Sequence, residues 1–169
     1  LKYVVEERGI DWFREEFRRR ADFELKPWVE AGPVRFKDHL GAHPQDNGTF
    51  YYGVHVPNGR IIDTENGPLY KTALRKLVEE LRPGVVLSPN QDLLLTNLTA
   101  AGVERVKAVL DEHKIARPET MTAVRRFALA CPALPTCGLA LAEAERAAPG
   151  IVDAFEAELR RLGLEHEPI

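Results

Sequence analysis

Between Thr49 and Leu110 the spacing of apolar residues switches repeatedly between the two-residue period of a strand and the longer period of a helix. No other feature of the chain restricts its fold as much. "TFYYGVHV" is rich in aromatic and β-branched residues and predicts a strand over 49–56. "PNGR" follows, where Asn58-Gly59 signals a tight turn and Ile61 and Ile62 return on its far side. "PLYKTALRKLVEELRPG" sets Leu69, Ala73, Leu74, Leu77, Val78 and Leu81 on one stripe, an amphipathic helix closed by Pro83-Gly84. "VVLSPNQDLLLTNL" predicts two short strands around a polar turn centred on Asn90 and Gln91. The unbroken Leu93-Leu94-Leu95 predicts cover on both faces of the second strand. Thr99 then caps a helix carrying Val103, Val106, Val109 and Leu110.

Strand, helix, strand, strand and helix in that order predict an α+β layer of ferredoxin-like type, a small antiparallel sheet with helices on one face. The flanks read differently. Residues 10–21, "IDWFREEFRRRA", predict a short helix with Asp11 as N-cap, Phe13 and Phe17 on one face, and Glu15–Arg19 and Glu16–Arg20 pairs on the other. Residues 25–48 are punctuated by proline and glycine without a period and predict a long connection. "FALA" before Cys131 is a candidate further strand. After Cys137 the pattern is helical: a short Ala-rich piece, "GLALAEAERAAPG", then a helix with Ile151, Phe155, Leu159 and Leu162 on a stripe. This last stretch predicts a mostly helical, partial α/β segment.

Composition narrows the function classes. A net charge of −3 gives no electrostatic footprint for nucleic acid or an anionic membrane. No apolar run approaches the roughly 20 residues of a membrane span. Two cysteines in 169 residues exclude a disulfide-stapled scaffold and fit a reducing compartment. The chain starts at Leu1 inside a charged, helix-like stretch and stops at "LEHEPI". It is therefore expected to be a piece of a longer polypeptide.

Phosphate loops, paired zincin histidines and nucleophile elbows are missing, and five histidines (His39, His43, His55, His113 and His166) are scattered. The chemistry concentrates in Cys131 and Cys137, separated by "PALPT". Spacing alone leaves four readings open. They are inert buried thiols, a disulfide across a proline-stiffened gap, part of a zinc site at unusual spacing, or half of a four-thiolate iron–sulfur cage. Pro135 discourages helix before Cys137. That cysteine is thus expected in the turn opening the following helix, where free N–H groups favour a thiolate.

"ACPALPTCGLALAEAER", residues 130–146, closely resembles the first cysteine pair of the sirohaem-containing sulfite and nitrite reductases, the sulfite-type branch above all. "HLGAHPQDNGTFYYGVHVPNGRI", the helix from Leu69 and "LSPNQDLLLTNL" resemble the second ferredoxin-like half-domain of such enzymes. "LKYVVEERGIDWFREEFRRR" resembles the helical linker upstream of it. The resemblance covers almost the whole chain and implies a linker over 1–35, a half-domain over 36–118 and part of the iron–sulfur/sirohaem domain over 119–169.

For the parent protein the resemblance implies an oxidoreductase of the cytoplasm. It would reduce sulfite to sulfide, or nitrite to ammonia, by six electrons at a sirohaem coupled to a [4Fe–4S] cluster. Electrons would come from ferredoxin or a flavoprotein. Cys131 and Cys137 match two of the four cluster ligands. Arg60, Asn90 and Gln91 fall where the half-domain approaches the sirohaem pocket, and His55 falls on the strand related by pseudo-symmetry to an anion-facing one. The second cysteine pair and the first half-domain lie outside the chain. On that reading the chain alone holds no catalytic residue, binds neither group and is inactive. A nitrite-reducing parent and a non-catalytic α+β interaction module with inert cysteines are the alternatives.

Overall fold

The computed structural model describes residues 1–24, 27, 29, 30, 38–165 and 167. The chain divides into two compact units, Leu1–Phe36 and Lys37–Ile169. In the first, α1 (Lys2–Arg8) and α2 (Ile10–Arg20) are broken apart at Gly9, whose φ of 85° no helix accommodates. Gly9, not Asp11, is the N-cap of α2. Asp11 sits in the first turn and binds Arg14 at 3.1 Å. Arg19 pairs with Glu16, three residues back, rather than with Glu15. Phe17 meets Phe23 edge to face, centroids 5.6 Å apart. Of the 25–48 connection, residues 25, 26, 28 and 31–37 lie outside the described residues.

The second unit begins with β1 (Gly41–Pro44) and β2 (Phe50–Val54), followed by α3 (Tyr70–Leu81), β3 (Gly84–Leu87), β4 (Leu93–Leu98) and α4 (Ala100–Glu112). The strands form one antiparallel sheet in the order β1-β2-β4-β3. Strand β1 was not expected. Gly-Ala-His-Pro carries no apolar alternation, and only its pairing with Phe50–Gly53 makes it a strand.

Register decides which residues enter the core. Tyr52 lies opposite Leu95, and Val54 opposite Leu93. All four are buried against Ala73, Leu74 and Leu77 of α3 and Val103, Val106, Val109 and Leu110 of α4. Each such side chain contributes about 1.5–3 kcal/mol of hydrophobic stabilisation. The expected α+β layer, helices on one face of an antiparallel sheet, is the one that forms. Leu94 points to the opposite face and is only partly covered, so the leucine run is not buried on both sides. On that face Gly53 is obligatory, because a Cβ there would stand 1.9 Å from the His39 carbonyl oxygen. Thr99 caps α4 as expected, its hydroxyl accepting from the Gly102 N–H at 3.0 Å.

Elsewhere sequence and structure diverge. Asn58-Gly59 does form a tight turn, but Ile61 and Ile62 stay exposed and build no strand. Between that turn and α3 the pairing among the described residues is the isolated bridge between Asp63 and Leu69. "FALA" is not a strand. Ala123–Phe127 is a short helix, α5, started by the Thr122 hydroxyl accepting from the Arg125 N–H. Its arginines pin it: Arg126 grips Asp38 at 2.6 and 2.9 Å, and Arg125 grips Glu156. The Ala-rich piece after Cys137 is not helical either. The Glu143 carboxylate accepts from the Ala144 and Arg146 N–H groups and competes there with helix formation. Helix resumes only at α6 (Ala148–Leu162), with Pro149 in its first turn. Of its expected stripe Leu159 alone is buried, while Ile151, Phe155 and Leu162 remain exposed. The buried contact is polar instead. Glu156, 5% exposed, accepts from Thr122 and Arg125.

Two stability predictions follow from this packing. Leu95→Ala should cost about 2–5 kcal/mol in urea denaturation, whereas Leu87→Ala, at the open edge, should change stability by no more than about 0.5 kcal/mol. The second concerns Glu156. Hydrogen bonds from Arg125 hold its carboxyl below the ordinary glutamate range, outweighing burial, with Thr122 assisting. Its contribution is present above the ordinary pKa of 4.5 and disappears as pH falls through the lower folded value. Denaturation midpoints measured across the acid range should therefore drop more steeply for the native protein than for Glu156→Gln.

Candidate functional site

Strands β2, β3 and β4 run antiparallel, so the segment after β2 and the turn between β3 and β4 emerge at the same end of the sheet. In the first, the Gly59 N–H binds the Val56 carbonyl at 2.9 Å and the Arg60 N–H binds that of Pro57 at 3.2 Å. Asn58 and Gly59 take φ of 55° and 67°, which is why Asn-Gly occurs there. In the second, the Gln91 N–H binds the Ser88 carbonyl at 3.2 Å, and the Asp92 N–H binds the Ser88 hydroxyl at 3.2 Å. Gln91 itself is left-handed, with φ 65°. The two turns touch. A Cβ on Gly59 would stand 3.4 Å from the Gln91 Cβ, an ordinary van der Waals contact.

Against these turns lies the cysteine segment. Cys131 is exposed, Cys137 is half-buried, and both are free thiols. Between them Ala133 is buried at a φ of 47°, and its carbonyl accepts the Cys137 N–H at 2.7 Å. The Gln91 amide nitrogen donates to the Ala130 carbonyl at 3.2 Å, one residue before Cys131. Its amide oxygen is buried without a partner among the described residues. Beyond Cys137, the Arg60 guanidinium takes the Glu145 carboxylate in a two-pronged ion pair, one arm at 2.6 Å. The Arg60 hydrogen bonds hold the Glu145 carboxyl below its usual range. Asn58 donates to the Glu145 carbonyl at 3.3 Å, and Arg146 reaches back to the Leu134 carbonyl at 2.9 Å.

The structure thus brings Arg60 and Gln91 together with the cysteine segment. Asn90 occupies the middle of the β3–β4 turn, half-buried. No helix opens at Cys137, since residues 138–147 are non-helical, and the expected helix-dipole assistance to its thiolate is absent. His55 goes elsewhere. It is 6% exposed and meets Asp92 through Nδ1 at 3.0 Å. A cavity of about 390 Å³ adjoins it, lined in part by Tyr70, Met121 and Val152. Burial, and then the charge of Asp92, push the Tyr70 phenol up to about 12. Asn58, Glu145 and Arg146 were missed in the sequence. Only the Asn-Gly turn marked the neighbourhood of the first, and Glu145 and Arg146 were hidden in a stretch that reads as helix. Among the described residues no three His, Cys, Asp or Glu side chains converge as a metal site, and no helix is long and apolar enough to cross a membrane.

The pattern described as the nitrite/sulfite reductase ferredoxin-like half domain matches residues 43–113. The sulfite reductase [NADPH] hemoprotein beta-component of Chromohalobacter salexigens is 37% identical over the whole chain, which spans 29% of that relative. The same component from Methylorubrum extorquens is 38% identical, with the chain spanning 27% of it. Among solved structures, that of the Mycobacterium tuberculosis NirA protein superposes on 95% of the chain with a TM-score of 0.64 and 26% identity, again over 29% of its own length. Residues 43–113 thus match a nitrite/sulfite reductase ferredoxin-like half domain, and the described architecture and these likenesses support a fragment of the sulfite/nitrite reductase kind.

Proposed function

We propose that the chain supplies the second ferredoxin-like half-domain and the first cysteine pair of a sirohaem-dependent, cytoplasmic sulfite reductase, which reduces sulfite to sulfide. Residues 1–35 serve as a helical linker, 36–118 as the half-domain, and 119–169 as the start of the iron–sulfur/sirohaem domain. One observation carries the reading. Two free thiols lie on a hydrogen-bonded loop beside the half-domain, exposed at Cys131 and half-exposed at Cys137. Inert core cysteines are usually buried, so the exposure of these two favours a ligand role over the interaction-module alternative.

The donor set fits an iron–sulfur cluster as one half of a cage. Thiolates are the ligands such clusters require, and two of the four would come from Cys131 and Cys137. The other two, and most of the substrate-facing positive charge, belong to other parts of the protein, and on this reading the isolated chain is inactive. When bound, the coupled cluster and sirohaem supply electron storage and transfer to the anionic substrate. The chain's own share is to present the two thiols and to bring the β3–β4 turn, with Asn90 and Gln91, towards the sirohaem pocket. Ferredoxin or a flavoprotein would deliver the electrons, and the NADPH in the relatives' name favours the flavoprotein. Reduction of nitrite to ammonia is the second reading, supported by the family pattern, which spans both substrates.

In the full-length protein, Cys131→Ser and Cys137→Ser should each abolish the visible absorption of the cluster and the viologen-driven reduction of sulfite. A full complement of iron and unchanged turnover in both variants would sink the assignment.

A further inference from the structure

The cysteine loop has little apolar anchorage. Leu134, Leu139 and Leu141 are 40%, 92% and 99% exposed, and Ala133 is the one residue between the cysteines that is buried. Within this chain apolar packing therefore contributes little to the loop's conformation, and polar contacts carry it. Those contacts bracket it. Gln91 holds the Ala130 carbonyl on one side, while Arg60 and Asn58 hold Glu145 on the other. Arg146, next to Glu145, closes the circuit by donating to the Leu134 carbonyl between the cysteines.

A lone, partly exposed ion pair stabilises little. Here the Arg60–Glu145 pair is two-pronged, and its carboxylate is largely covered, at 17% exposure. It also acts on the same segment as two amide hydrogen bonds. The anchors are themselves fixed, because Asn58 and Gln91 sit at left-handed positions of turns that leave the same end of the sheet. The half-domain thus holds the loop by two rigid turns.

We propose that Arg60 and Gln91 are positioning residues for the cysteine pair, setting the spacing and orientation at which Cys131 and Cys137 reach an iron–sulfur cluster. This rests on the cluster-ligand reading above and assigns the two residues a task carried out through the loop.

Hydrogen exchange of the full-length protein, with and without its cofactors, tests the proposal. In the double variant Arg60→Ala/Gln91→Ala, the Cys137 amide should exchange about tenfold faster or more, while amides of β2, β4 and α4 keep their native rates. The reversed pair Arg60→Glu/Glu145→Arg should restore much of the protection that Arg60→Ala alone removes. In the cofactor-loaded double variant, the reduced cluster's EPR signal should broaden and its midpoint potential shift. Native exchange at Cys137 in the double variant would overturn the proposal. So would faster exchange accompanied by a native EPR line shape and potential. Failure of the cluster-ligand reading itself shows separately, as iron retained when Cys131 or Cys137 is replaced by serine.

Discussion

The packing of Tyr52, Val54, Leu93 and Leu95 beneath α3 and α4 is the constraint from which the rest of the half-domain follows. It fixes the register of β2 against β4, since a slip by one residue would turn that row of side chains out to solvent. A fixed register brings the Asn58-Gly59 turn and the Ser88–Asp92 turn out side by side at one end of the sheet. From there they reach the cysteine segment. The apolar core is thus remote from the thiols in chemistry and yet determines where they can be held.

The contrast between core and loop is energetic. The core draws on side chains that each contribute about 1.5–3 kcal/mol. The cysteine segment has the opposite economy. Its leucines face outward, and its order comes from the Arg60–Glu145 and Arg146–Glu143 ion pairs and a few hydrogen bonds to backbone carbonyls. The α5–α6 contact is of the same kind, with Glu156 buried under Thr122 and Arg125 where an apolar stripe was expected. Surfaces such as Leu139 and Leu141 fit a segment that adjoins further parts of a longer protein.

Legibility in the sequence followed this division. Strands β2 and β4 and helices α3 and α4 could be read because burial imposes a pattern on them, whereas β3, exposed from Val85 to Leu87, was legible from its paired valines. Strand β1 could not, because Gly41–Pro44 is made a strand by its neighbour's free edge. The irregular run after Cys137 was misread as helix because its alanines favour helix while Glu143 diverts the backbone N–H groups. At the site, the cysteines and the neighbourhood of Arg60 and Gln91 were legible from motif and turn chemistry. Their partner Glu145 lies 85 positions from Arg60, a separation at which no local pattern registers. His55 was read as lying on the strand related by pseudo-symmetry to an anion-facing one, and in the fold its Nδ1 meets Asp92.

The central claim is that this loop delivers two cluster ligands from a site organised by the half-domain. It is tested most directly by anomalous diffraction at the iron edge on crystals of the cofactor-loaded, full-length protein. The account predicts iron within bonding distance of both the Cys131 and Cys137 Sγ atoms, with the Arg60–Glu145 pair and the Gln91–Ala130 hydrogen bond in place. An iron–sulfur cluster held entirely by other residues, with these two thiols unligated, would contradict it.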